Sequence, residues 1–205
     1  MPGKICYRYL LFLLLLASGN MHAQAFEALD VPVTSWKFSE AGKDDWKTAD
    51  VPGCIHKDLL SHNLLPDPTD KDQIKKCQWV EEKTWEYATT LRLDSLTYSR
   101  CKGKCKELVF ESLDTYSDVF LNDSLLLHTD NMFRTYTVRV DDKLHLGDNR
   151  LLIRFYPAAA TARLQMKDTH LRYPAANDST SPFTRKPAVE YGWDFAPPLG
   201  HLWNT

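Results

Sequence analysis

The chain offers none of the short signatures that place a catalytic centre in a sequence. There is no Gly-x-Ser-x-Gly elbow to present a nucleophilic serine, no His-Glu-x-x-His pair to hold zinc on a helix, and no glycine loop to cradle phosphate. Carboxylates are abundant but form no recognisable pair for general acid–base work. A basic excess is missing as well. The 25 Lys and Arg residues stand against 27 Asp and Glu, a net charge of -2, so a nucleic-acid or anionic-membrane partner has no electrostatic support. No internal repeat is present, and the longest apolar run, Leu10 to Ala17, is well short of the roughly 20 residues that span a bilayer.

That short run has another use. Lys4 and Arg8 precede it and Ala23-Gln24-Ala25 follow it, which is the three-part layout of a secretory signal peptide. The reading is therefore a signal peptide over 1–23, cleaved near Ala23 or Ala25, and a domain over 24–205 that has no membrane association afterwards. Cys6 lies before the run, so no lipid-attachment cysteine follows it. The expected destination is a bacterial periplasm or the extracellular space, with a lysosome as the alternative.

An exported chain can oxidise its thiols, and Cys54, Cys77, Cys101 and Cys105 remain after cleavage. The Cys101-Lys-Gly-Lys-Cys105 spacing suits a tight disulfide loop, half a zinc site, or a loop with incidental thiols. No neighbouring Cys or His run completes a zinc site. Two Asn-Asp-Ser sequons, at Asn122 and Asn177, matter only in a eukaryotic secretory pathway. His56 and His62 read as surface or capping histidines.

Period-two alternation dominates from residue 85 onward. Trp85, Tyr87, Leu91 and Leu93 share one face while Glu86, Thr90 and Arg92 share the other. Tyr136, Val138 and Val140 repeat the pattern, as do Leu151, Ile153 and Phe155. Asn122-Asp123 between two apolar runs predicts a hairpin, and Gly147-Asp148-Asn149 predicts the turn before the last strand. Short strands so spaced predict an all-β antiparallel sandwich or jelly roll. Ile55 to His62 has room for one or two helical turns, and no longer amphipathic helix competes. Residues 50–80 and 157–190 read as loops.

The six tryptophans, at 36, 46, 79, 85, 193 and 203, carry more chemistry. Sugars stack their flat apolar faces on aromatic rings and need polar partners for their hydroxyls. Trp36, Trp46 and Trp85 fit core packing. Trp193 differs, because Tyr191-Gly192-Trp193-Asp194-Phe195-Ala196-Pro197-Pro198 cannot form a regular strand. An aromatic ring beside a carboxylate on a rigid loop suits a ligand contact.

Several segments then fall into a familiar order. They are Val51-Pro52-Gly53 with His56 and Asp58-Leu59, Pro66-Asp67-Pro68, Gln78-Trp79-Val80-Glu81 leading into Trp85-Glu86-Tyr87, and Leu113-Asp114-Thr115-Tyr116. Val119-Phe120-Leu121-Asn122, Asp130-Asn131-Met132-Phe133 and Tyr191-Gly192-Trp193-Asp194 complete the set. In this order and spacing the chain resembles the N-terminal domain of a β-mannosidase, a family 2 glycoside hydrolase. The resemblance implies a jelly-roll sandwich of the galactose-binding-domain-like kind, preceding an immunoglobulin-like domain and a (β/α)₈ barrel. It also implies a retaining exo-hydrolase that removes terminal non-reducing β-D-mannose from β-mannoside oligosaccharides through two barrel glutamates. Neither a cofactor nor a metal is implied.

By the same resemblance Asp194 hydrogen-bonds hydroxyls of the terminal mannose and Trp193 forms a supporting wall. Where a second tryptophan and a glycine are usual in the family, Phe195 and Ala196 stand here. The strand that closes the sandwich is not evident beyond Pro197. The expectation is a fragment without the barrel, inactive alone, whose partner is the catalytic barrel of the parent enzyme. The alternative is a stand-alone lectin-like carbohydrate-binding module.

Overall fold

The computed structural model describes residues 31, 33–67, 73–171, 173 and 180–187. The proposed signal peptide and the segment expected to close the sandwich lie outside them. Eight strands run through the described chain: β1 (Lys37–Glu40), β2 (Lys47–Thr48), β3 (Trp85–Leu93), β4 (Glu107–Phe110), β5 (Ser117–Leu121), β6 (Ser124–Thr129), β7 (Tyr136–Arg139) and β8 (Gly147–Phe155). They form a six-stranded sheet ordered β2-β1-β3-β8-β5-β6 and a two-stranded sheet of β4 and β7, antiparallel throughout. The all-β antiparallel architecture expected from the alternation is thus the observed fold.

On the two longest strands the inner face follows the alternation, while Glu86 and Leu152 of the other face are buried as well. On β3, Tyr87, Leu91 and Leu93 are buried; on β8, Leu151, Ile153 and Phe155 are buried. All of these but Leu93 meet Phe38, Val119, Leu121 and Val140 in one core, against which Leu108, Phe110 and Val138 of the small sheet pack. Each large apolar side chain so buried contributes about 1.5–3 kcal/mol. On the outer face Glu86 sits opposite Arg154 in register and pairs with its Nη2 at 2.6 Å.

The expected hairpin forms at Asn122-Asp123. Both residues have positive φ, 49° and 62°, as a type I′ turn requires. Asn122 is also a crosslink. Its Nδ2 donates to Lys143 O (2.8 Å) and Asn149 Oδ1 (2.9 Å), and its Oδ1 accepts from Arg150 N (2.9 Å). A glycan on that Nδ2 would displace one of these bonds, so the Asn122 sequon is accounted for by structure. Asn177 lies outside the described residues.

Three expectations need correction. Gly147–Asn149 belongs to β8 itself, with Gly147 opposite Leu93 at the end of the ladder. The buried Asn149 side chain ties the preceding turn, accepting from His145 N and donating to His145 O, at 2.9 and 2.8 Å. Two short helices, α1 (Ile55–Ser61) and α2 (Ser95–Cys101), are joined by a longer one, α3 (Ala158–Thr169), inside a stretch read as loop. The helix α3 buries only Ala158 and Ala162, one turn apart, while Leu164 is exposed. Alanine favours helix strongly but marks no apolar stripe, which is why periodicity missed it. Finally, His56, in the first turn of α1, is buried and not at the surface. Residues 50–80 hold, besides α1, two 3₁₀ turns at Ile74–Lys76 and Gln78–Glu82. Among the described residues no helix is long and apolar enough to cross a membrane.

Candidate substrate-contact region

Trp193 and Asp194, the residues assigned to substrate, lie outside the described residues. What the structure shows is how the chain leading to them is held. Residues 180–187 return to the sandwich after α3, and the segment just before β5 and the loop after β6 grip them. The Tyr116 hydroxyl, whose pKa burial raises, donates to Phe183 O at 2.6 Å. Met132 N donates to Arg185 O at 2.9 Å, and Asn131 forms an isolated parallel bridge with Arg185. Lys186 Nζ donates to Asp114 Oδ2 at 2.8 Å, with side chains 1% and 0% exposed.

That ion pair is the strongest electrostatic feature of the region. Two charges withdrawn from water are tolerated only when they neutralise each other at hydrogen-bond distance. Asp114 also accepts from Thr115 Oγ1, across a cis Asp114–Thr115 peptide. Glu81 stands within reach of the same field. Burial raises its pKa, and Arg163 and Lys186 partly offset that rise. The partners Asp114, Tyr116, Asn131 and Met132 fall in two of the segments that carry the family resemblance. Their common structural role is to hold residues 180–187, which precede Tyr191-Gly192-Trp193-Asp194 in the sequence. No part of this arrangement transfers a proton; it fixes position.

The other candidate residues are placed as follows. His62 Nε2 lies 2.8 Å from Thr48 O, a tie between α1 and β2. Beside it the buried Asp58 accepts from Tyr87 Oη (2.7 Å) and Asp50 N (2.9 Å), and burial raises its pKa. Gly53 is required here, since a Cβ would lie 2.2 Å from Asp50 O. Cys54, Cys77, Cys101 and Cys105 are free thiols, and burial pushes the first two upward in pKa. Among the described residues no group of three or more His, Cys, Asp and Glu is placed to hold a metal.

Among the tryptophans, Trp85 is in the core and donates Nε1–H to Val80 O at 3.0 Å. Trp36 is half-buried against that core, and Trp46 lies beneath the Arg150 guanidinium, 5.9 Å from the ring centroid. The Lys186–Asp114 pair had no signal in the sequence. Its members are 72 residues apart, and neither stands in a motif of charge.

Residues 36–202 match the family model described as "Glycosyl hydrolase 2 galactose-binding domain-like". The chain is similar to β-mannosidase B of Aspergillus terreus, 33% identical over 173 residues, covering 81% of this chain and 20% of that protein. It is also similar to β-mannosidase B of Thermothelomyces thermophilus, at 32% over 170 residues, covering 80% and 19%. The β-D-mannosidase structure from Dictyoglomus thermophilum superposes with a TM-score of 0.75 at 31% identity, covering 84% of this chain and 21% of that one. An exo-chitosanase of Amycolatopsis orientalis, at 14% identity and TM-score 0.53, covering 63% and 17%, shares the fold. The chain thus spans about a fifth of the length of the curated relatives it matches.

Proposed function

The chain belongs to the glycosyl hydrolase 2 galactose-binding domain-like family, and from that premise we propose that it is the N-terminal domain of an exo-acting retaining β-mannosidase. The observation that carries this is the 33% identity to a β-mannosidase across 81% of the chain. The proposed reaction removes terminal non-reducing β-D-mannose from β-mannosides. The nucleophile and the acid/base, both glutamates, are assigned to a barrel outside these 205 residues.

The domain's own contribution is then a substrate contact. Asp194 is proposed to accept hydrogen bonds from hydroxyls of the terminal mannose, with Trp193 as a wall beside the ring. The ties through Lys186, Arg185 and Phe183 support this reading, because a contact of this kind works only if its backbone is held still. Export through the signal peptide over 1–23 is part of the proposal; N-terminal sequencing of the secreted protein should begin near Gln24 or Phe26.

A hybrid tests the whole reading. The chain replaces the equivalent domain of the Dictyoglomus thermophilum enzyme, and aryl β-mannoside hydrolysis is measured. The hybrid should be active, release β-mannose first by NMR, and lose about 100-fold in kcat/KM with Asp194→Ala. The chain alone should show no turnover. First-formed α-mannose, or full activity of the Asp194→Ala hybrid, would overturn the mechanism or the assigned contact respectively.

A further inference from the structure

We propose that this domain carries a second carbohydrate site, for a single neutral pyranose ring, in the cleft floored by Phe38, Trp85 and Trp79 beside the β1–β2 turn. The site uses neither Trp193 nor Asp194, so it stands or falls independently of the mannosidase reading.

The cleft has a volume of about 210 Å³. Its floor is aromatic. Phe38 and Trp85 are 1% and 5% exposed with ring centroids 6.2 Å apart, and the Trp79 ring follows at 6.0 Å from Trp85. Trp79 itself is 37% exposed. The Trp79 ring is tilted 50° to the buried Trp85 ring, so the half-open face of Trp79 alone offers the apolar surface that the C–H side of a sugar ring covers. Leu64, 47% exposed, extends that surface.

The rim is polar and balanced. Glu40 and Asp45 line it with Lys43 and Lys47, two carboxylates against two ammonium groups. Glu40 Oε2 lies 2.6 Å from Lys43 Nζ, and Lys47 pairs with Asp45. The Lys43 hydrogen bond holds the Glu40 carboxyl below the usual carboxylate range, so it is an acceptor at neutral pH. Hydroxyl groups both donate and accept, and a rim of alternating acceptors and donors with no net charge suits them. An anionic or cationic ligand gains nothing from it. The volume decides the ligand's size, since clefts for drug-sized molecules run from about 300 to 1,000 Å³. One ring fits here, either a monosaccharide or the end of a longer glycan.

The test is titration of the chain with methyl β-D-mannopyranoside and methyl β-D-glucopyranoside, followed by indole fluorescence and calorimetry. A Kd on the order of 1 mM is expected, the scale of one stacked ring. Trp79→Ala should weaken binding at least about 10-fold, while Trp79→Phe retains most of it and Glu40→Gln loses several-fold. Asp194→Asn should bind as the wild type does. If Trp79→Ala fails to fold by circular dichroism, the Phe and Gln variants decide. Absence of saturation up to about 50 mM, far above the expected Kd, would overturn the site. So would binding lost in Asp194→Asn and kept in Trp79→Ala, or a clear preference for methyl β-D-glucuronide over the neutral sugars.

Discussion

Single charged residues do more here than hold water at the surface. The Lys186–Asp114 pair is fully buried, and the cost of breaking such a pair is dominated by the charge left behind. Lys186→Met should therefore destabilise the chain by about 3–5 kcal/mol in urea denaturation. Adding Asp114→Asn should recover much of that loss, because no uncompensated carboxylate then remains. A double variant as unstable as the single one would show that packing, not charge, is the main term. Asp58 gives the opposite kind of test. Its pKa is raised by burial against two hydrogen bonds, so the folded state holds the proton more tightly than the unfolded chain does. The stability this confers is present in acid and is lost as pH rises through the raised value. Relative to Asp58→Asn, the wild type should gain in Tm as pH falls from about 7 toward about 4. A pH-independent difference between the two would refute that role.

Elements are joined by side chains as much as by ladders. The β5–β6 hairpin needs left-handed backbone at Asn122 and Asp123, and the Asn122 amide links the hairpin to the turn before β8. Asn122→Ala should cost about 1–3 kcal/mol, from the lost bonds and the poorer fit of alanine to positive φ. Asn122→Gly, which restores the backbone but not the bonds, should lie between. Thermal melts of the three proteins separate the two contributions. The helix α3 works differently. It buries the small faces of Ala158 and Ala162 and packs against the 3₁₀ turns at Gln78–Glu82 and Ser181–Phe183. Pro157 precedes it and His170, in the left-handed conformation at φ 56°, ends it.

At the scale of the whole molecule, the segment 180–187 is the strap that ties the far end of the chain to the sandwich. A variant ending at residue 179 loses the partners of Asp114, Tyr116 and Met132 together. It should be less stable by about 3 kcal/mol or more in denaturant. A variant as stable as the full chain would show that the strap contributes nothing to folding. The strands β3 and β5 to β8, the hairpin and α1 were legible in the sequence because each depends on residues two to four apart, whereas the short β1, β2 and β4 carry no sustained alternation. Alternation places Tyr87, Leu91 and Ile153 on one face whatever else the chain does, and Asn-Asp accepts positive φ wherever it occurs. The order of motifs likewise pointed to the family without any coordinates. The helix α3, the burial of His56 and the Lys186–Asp114 pair were decided only by tertiary structure. Alanine leaves no amphipathic trace, and a charge is buried or exposed according to what packs against it from 72 residues away.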